Sequence, residues 1–140
     1  LGLCTPDYEW ANWPVPTFDE ANYTTTAETA TDRSTGLVWQ RFVPAGYYTW
    51  TNAESYCAGL TLGGFSDWRL PTRIELLSIL AGTRSNPAIN PYVFSGTPSE
   101  SFWSSSLKAG STTTAWYVNF DYGYANCKHT GSSSHVRCVR

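Results

Sequence analysis

The clearest alternation of apolar and polar side chains lies in "TAWYVNF", close to the C-terminus. There Trp116, Val118 and Phe120 would face one way, and Tyr117 and Asn119 would face the other. Because successive side chains of a strand point to opposite faces, this pattern predicts a β-strand with one buried face. Two further segments are predicted as strands, "SFWSSSLK" (101–108) and "HVRCVR" (135–140).

The first half of the chain predicts a β-hairpin. Residues 23–41 alternate threonines with small residues, turn at "DRSTG" and continue as "LVWQR". Residues 1–22 are rich in proline and aromatic side chains and show no period, so they are predicted to be an extended arm or a linker. We therefore expect a single domain over residues 23–140, which is long enough to bury its own core.

Two segments carry the start signal of a helix, a threonine followed three residues later by a glutamate. Thr51 with Glu54 and Thr72 with Glu75 have the spacing of a capping box, which satisfies backbone N–H groups at a helix start. The expected buried residues and stops are Ala53, Tyr56 and Cys57 before Gly59 in the first helix, and Ile74, Leu77 and Leu80 before Gly82 in the second.

The cysteines favour disulfides over a metal site. There are 4 of them, no C-x-x-C pair occurs, and the 2 histidines, His129 and His135, are six residues apart. Two disulfides are therefore expected, and the spacing leaves all three connectivities open. The low number of charges and the many aromatic residues also suit a secreted or cell-surface domain. The sequence contains no run of about 18 apolar residues, so no membrane-spanning helix is predicted.

Charge is distributed unevenly along the chain. The net charge is −2, yet residues 101–140 hold Lys108, Lys128, Arg137 and Arg140 against Asp121 alone, which gives +3. Such a local excess can attract anions, although a chance distribution of so few charges is an equal alternative.

No motif predicts catalysis. The chain contains no G-x-S-x-G, no H-E-x-x-H, no P-loop and no dinucleotide-binding glycine pattern. In "SDWRLPTRIE", Arg69 is predicted to pair with Asp67 or Glu75 and to fix the entry of the second helix. Arg137 precedes a cysteine expected to be bridged and is interpreted as structural. We therefore predict a protein that is not an enzyme and needs no cofactor.

Seven motifs, in order, resemble the C-terminal domain family of bacterial collagen-like adhesins, the Lcl C-terminal domain. They are "TGLVWQR", "TWTNAESYC", "GFSDWRLPTRIELLSIL", "NPAIN", "FWSSS", "AWYVNF" and "VRCVR". The resemblance extends from about Tyr23 to Arg140. It implies an α+β fold of the C-type-lectin-like and formylglycine-generating-enzyme-like kind, with two short helices on small twisted antiparallel sheets. It also implies a Cys57–Cys138 disulfide and, with it, a Cys4–Cys127 disulfide.

The chain departs from both enzymatic and calcium-dependent relatives of that fold. The E-P-N, Q-P-D and W-N-D motifs of calcium-dependent lectins are absent, and no residue matches the reactive cysteine pair of the formylglycine-generating enzymes. The resemblance therefore implies ligand binding without a metal and without catalysis.

Residues 121–135 are interpreted as an outward-facing loop that binds the ligand. Similar domains sometimes end in a diversified surface rich in Tyr, Ser, His and Asn, residue types that combine contact area with adaptable hydrogen bonding. A polar loop that merely avoids aggregation is the alternative. The expected ligand-binding residues are Lys108, Tyr122, Tyr124, Asn126, Lys128, His129, Ser132, Ser134, His135 and Arg140.

Two ligand classes are expected for this surface. The basic residues favour a sulfated glycosaminoglycan or a similar anionic glycan, whose weak contacts a homotrimer would multiply. The mixture of tyrosine and serine favours a protein receptor instead. Nucleic acid is not an expected partner, and a membrane would be reached only through an anchor outside this sequence.

Overall fold

The computed structural model of the protein describes Cys4 and residues 22–140, so most of the predicted N-terminal arm lies outside the described residues. The described part is α+β, as predicted, with two three-stranded antiparallel sheets and two short helices. This arrangement is consistent with the C-type-lectin-like fold that the resemblance implies. Neither helix is long and apolar enough to cross a membrane, as far as the described residues go.

The first sheet contains the predicted hairpin and extends it by a strand. It has the order β1 (Tyr23–Thr25), β2 (Thr29–Asp32) and β3 (Val38–Gln40), with Ala30 paired to Trp39. Asp32 closes the β2–β3 turn, because its carboxylate accepts from the backbone N–H of Ser34 at 2.8 Å. The turn therefore falls at the predicted "DRSTG" segment.

The second sheet has the order β4 (Ser101–Leu107), β5 (Thr114–Asn119) and β6 (Tyr124–His129). Strand β5 alternates as predicted, since Val118 and Phe120 are fully buried while Tyr117 and Asn119 remain partly exposed. A tight turn containing Gly123 joins β5 to β6. Gly123 has a φ of +82°, and a Cβ there would lie 3.3 Å from Ala88, so the turn requires glycine at this position.

The first helix, α1 (Trp50–Ala58), begins earlier than predicted. Its N-cap is Thr49, whose hydroxyl accepts from the N–H of Asn52, so the expected Thr51–Glu54 capping box is wrong. The predicted stop is confirmed, because Gly59 forms the C-cap. Of the three residues predicted to be buried, Ala53 and Cys57 are inaccessible to solvent, whereas Tyr56 is only partly buried.

The second helix, α2 (Arg73–Leu77), starts as predicted but ends early. The Thr72–Glu75 capping box is present in both directions. The helix is only 5 residues long and ends at Ser78 rather than Gly82, so the expected helical spacing does not continue. Ile74 is 74% exposed and Leu77 is only partly buried, contrary to the prediction, and Leu76 takes the buried position within the helix. Leu80 is buried as predicted, although it lies beyond the helix.

Two apolar clusters lie on opposite faces of the β4–β6 sheet. One joins this sheet to the first sheet, to α2 and to residues 79–94, and includes Phe102, Val118 and Trp39. The other lies between the sheet and α1, around Trp103 and Cys57. Both disulfides that the resemblance implied are confirmed: Cys57–Cys138 ties α1 to the C-terminal segment, and Cys4–Cys127 ties the N-terminal part to β6.

The predicted C-terminal strand forms only isolated bridges. His135 pairs with Phe102 of β4, and Val139 pairs with both Trp39 and Arg69. The segment thus connects the two sheets, and residues 134–139 are buried without interruption. Because Val139 belongs to one apolar cluster and Val136 and Cys138 belong to the other, no outward face remains for alternate side chains.

Candidate functional site

The predicted binding loop is mostly a strand. Tyr124–His129 form β6, so the expectation of one continuous loop over residues 121–135 is wrong. Its polar residues alternate with Ala125 and Cys127, which are buried. Tyr124, Asn126 and Lys128 therefore share one face of the sheet, and only the β5–β6 turn and residues 130–133 are irregular.

The tip of the hairpin is the most exposed part of the predicted surface. Tyr122 is 69% exposed there, and His129 is exposed at the other end of β6. The ring of His129 accepts a hydrogen bond from the N–H of Gly131 at 2.9 Å, which closes the following turn. Ser132 in that turn is partly buried.

Hydrogen bonds within the domain occupy several of the other predicted residues. The Tyr124 hydroxyl accepts from the side-chain amide of Asn119 at 3.3 Å. The Asn126 side-chain oxygen accepts from the N–H of Cys127 at 2.8 Å. Both side chains are partly buried, so they stabilise β5 and β6 as well as contributing to the surface.

Lys128 is held against aromatic rings. Its ammonium lies 4.8 Å from the ring centre of Tyr117 and 5.2 Å from that of Trp103, and it donates to the hydroxyl of Ser101 at 3.1 Å and to the carbonyl of Ser133 at 3.0 Å. Burial lowers the pKa of this ammonium. A sulfate would have to compete with these internal partners.

Ser134 and His135 do not face a ligand as predicted. Ser134 is fully buried, and its hydroxyl lies 2.7 Å from that of Ser101. His135 is 9% exposed, because the segment that carries it inserts beside β4. Its Nε2 lies 3.0 Å from Oε2 of Glu100, so this ring pairs with a carboxylate rather than with a serine.

Arg140 is paired within the fold. Its guanidinium donates to Asp67 at 2.5 and 3.1 Å and lies 3.7 Å from the ring centre of Phe65. The Arg140 guanidinium lowers the pKa of the Asp67 carboxyl. Arg69 pairs with Glu75 through two 2.7 Å hydrogen bonds, one of the two pairings that the sequence predicted.

Arg137 is structural, as interpreted from the sequence. It is fully buried and donates to the carbonyls of Gln40 and Arg41 and to the hydroxyl of Thr97, each at 2.7 Å. Its guanidinium also stacks 4.7 Å from the ring centre of Phe94. Burial lowers the pKa of Arg137 to about 9, which leaves the group charged at neutral pH.

Lys108 lies apart from the other predicted residues, in an open groove of about 880 Å³. We call it the α2 groove; it is lined by residues 72–74, 106–109, Trp116 and Cys4. Arg73 at the start of α2 stacks on Trp116, with 4.3 Å between the guanidinium carbon and the ring centre. Trp116 pairs with Cys127 and so faces away from Lys128.

The α2 groove combines two cations with an aromatic ring and exposed apolar side chains. Sequence reasoning missed Arg73, because nothing in "PTRIE" distinguishes a groove-lining arginine from one that caps or pairs. Among the described residues, no cluster of three or more His, Cys, Asp or Glu could hold a metal ion. The two cations and the indole ring of the groove suit a ligand that carries negative charge and a surface that can pack on an aromatic ring.

Comparison with known proteins identifies the family. The family model described as the Lcl C-terminal domain matches residues 28–140, well over half of the chain. Curated protein sequences gave no match. The chain therefore belongs to the Lcl C-terminal domain family and is an adhesin-related domain.

Proposed function

We propose that this is a non-catalytic extracellular domain that binds anionic glycans, such as sulfated glycosaminoglycans, on behalf of an adhesin. Its two disulfides suit an oxidising extracellular or cell-surface environment. The binding surface is the α2 groove rather than residues 121–135.

The observation that carries this proposal is the placement of Arg73 and Lys108 along one groove. The Arg73 guanidinium over the Trp116 indole places a positive charge beside an aromatic surface, a combination that suits a sulfated sugar. Trp116 adds an aromatic surface against which a sugar ring can pack. Arg69, Arg137 and Arg140 are bonded elsewhere in the fold and do not line this groove.

Binding by one chain is expected to be weak, because only two cations line the groove. A homotrimer would present three grooves to one polyanionic chain and raise the effective concentration of each further contact. We include trimer formation in the proposal for this reason.

The test compares two double variants that lose the same charge. Arg73→Ala with Lys108→Ala should weaken binding of a heparin oligosaccharide by about a hundredfold, since the two contacts to charged groups contribute about 1.5 kcal/mol each. Arg33→Ala with Arg84→Ala removes two exposed cations elsewhere and should change the affinity by less than about threefold. Titration calorimetry at two salt concentrations measures both.

Equal losses in the two double variants would reject the α2 groove as the binding surface. Binding by the unmodified domain should also weaken as salt rises, because screening acts on exposed charges. An affinity that does not respond to salt would argue against an anionic ligand altogether.

A protein receptor is the second candidate, favoured by the exposure of Tyr122 at the tip of the β5–β6 hairpin. Tyrosine gives a large contact area with little loss of side-chain entropy. Such a receptor would bind the hairpin tip, which is not part of the surface proposed to bind glycans.

A further inference from the structure

A second cluster of polar and aromatic groups lies where the C-terminal segment pairs with the edge of β4, away from the α2 groove. We call it the β4-edge cluster; it consists of Tyr47, Glu100 and His135. The hydroxyl of Tyr47 donates to Oε2 of Glu100 at 2.8 Å, and Nε2 of His135 lies 3.0 Å from the same oxygen. The rings of Tyr47 and His135 are 4.6 Å apart between centres.

Hydrogen bonds orient the carboxylate of Glu100 through only one of its two oxygens. Both hydrogen bonds go to Oε2, and within the described part of the chain no partner occupies Oε1. The Glu100 side chain is 49% exposed. Hydrogen bonds from Tyr47 and then His135 lower the pKa of Glu100, so the group is ionised at neutral pH. Oε1 is therefore a strong acceptor whose direction is already fixed.

Tyr47 provides a platform beside that acceptor. Its ring lies against that of His135 at an interplanar angle of 38°, and the residue is 60% exposed, so much of the ring is accessible to a ligand. His135 itself is almost fully buried and anchored by backbone hydrogen bonds to Ser101 and Trp103, both at 3.0 Å. Because His135 already restricts the position of the Tyr47 ring, little side-chain entropy is lost when a ligand binds to that ring.

The exposed ring of Tyr47 beside the Glu100 carboxylate favours an uncharged ligand with a ring of its own. A small cationic amine could pair with Glu100 but would leave most of the exposed Tyr47 ring uncovered. An anionic sugar would be repelled by the ionised Glu100 itself. A neutral pyranose avoids both penalties: its hydroxyls donate to a carboxylate, and its C–H-rich face packs on the negative face of an aromatic ring.

We propose that the β4-edge cluster is a second carbohydrate site, which binds an uncharged pyranoside with its ring on Tyr47 and a pair of hydroxyls on Glu100. This site does not depend on the anionic-glycan site in the α2 groove. The two together would let the domain contact a neutral sugar and a sulfated one at separate places.

The experiment is a titration of the ¹⁵N-labelled domain with neutral methyl glycosides of glucose, galactose, mannose and N-acetylglucosamine, followed by amide chemical shifts. At least one glycoside should shift the amides of residues 47–48, 100–101 and 134–135 in a saturable way. Ethylammonium chloride, as the cationic probe, should shift them less at equal concentration. A stronger response to ethylammonium, or no saturable shift with any glycoside, overturns the proposal.

Matched variants separate binding from folding. Tyr47→Ala should weaken glycoside binding by about tenfold, the equivalent of about 1.4 kcal/mol. Tyr92→Ala removes a tyrosine that is 67% exposed elsewhere and should have no effect. Glu100→Gln keeps the shape and one acceptor oxygen, so we expect a smaller loss, about threefold to tenfold.

Each variant should retain the melting behaviour and the heparin affinity of the unmodified domain. Failure of heparin binding would then not affect this proposal, and failure of glycoside binding would not affect the α2 groove. Equal weakening by Tyr47→Ala and Tyr92→Ala would show that the β4-edge cluster is not the site.

Discussion

The α2 groove and the C-terminal segment 134–140 each contain two basic side chains, and the fold places the two pairs in different surroundings. In the groove, Arg73 and Lys108 line open space. In the C-terminal segment, Arg137 is buried against backbone carbonyls and Arg140 is paired with Asp67. The comparison teaches that an excess of formal charge along the chain does not locate an anion-binding surface. The place of each cation in the fold, in a groove or against the core, decides whether it can contact a ligand.

The largest expected effect concerns Arg137, the buried cation of the C-terminal segment. Arg137→Met should lower the free energy of unfolding by about 3 kcal/mol, because two carbonyls that accept from a buried charged donor lose their partner. Chemical denaturation measures the change. Arg84→Ala, at an exposed arginine, serves as the control and should change stability by no more than about 0.5 kcal/mol. Comparable effects of the two substitutions would mean that Arg137 is not built into the core.

The next effect concerns the wall of the α2 groove. Glu75→Gln weakens both the pair with Arg69 and the capping box at the start of α2, and should cost about 1 kcal/mol at neutral pH. Arg69 and the cap lower the pKa of Glu75 to about 2, below its ordinary value of 4.5. The carboxylate therefore stabilises the fold above about pH 5, and this contribution disappears as the pH falls through about 2.

Glu54→Gln is the matched control for that pH dependence. Burial raises the pKa of Glu54, so its ionisation opposes folding and the substitution should not destabilise the domain at neutral pH. Denaturation curves at several pH values compare the two variants. If both glutamine variants changed stability in the same direction at neutral pH, the roles assigned to the two glutamates would be wrong.

The smallest expected effect sharpens the choice between the two candidate functions. Tyr122→Ala removes an exposed side chain and should change stability by less than about 0.5 kcal/mol. Heparin affinity should also stay unchanged, because the hairpin tip is not part of the α2 groove. Calorimetry measures both quantities. A loss of heparin affinity in this variant would return the binding surface to the hairpin.

The features that the sequence predicted depend on local chemistry. The Thr72–Glu75 box and the Gly59 stop act within a few residues, and the alternation of β5 is visible in its own letters. The start of α1 was misplaced, although Thr51–Glu54 has the same spacing as a capping box. The helix is capped two residues earlier, by Thr49. There the Trp50 indole N–H reaches the carbonyl of Ser104 on β4, a contact between distant parts of the chain.

The errors at the candidate site have the same origin. Strand β6 could have been predicted, since Ala125 and Cys127 alternate with larger polar residues. The burial of Ser134 and His135 could not, because their segment inserts between Tyr48 and β4 instead of following a two-residue period. Arg73 joins Lys108 and Trp116 only through packing of α2 on the sheet, and no local pattern encodes that packing.

The most direct test of the central claim is a map of the heparin-binding surface by amide chemical shifts. A short heparin oligosaccharide, titrated into the ¹⁵N-labelled domain, should shift the amides of residues 72–74, 106–109 and Trp116 most strongly. We expect the amides of the hairpin tip and of residues 134–140 to remain near their original positions. Saturable shifts concentrated at residues 121–135, with the groove unaffected, would contradict the account.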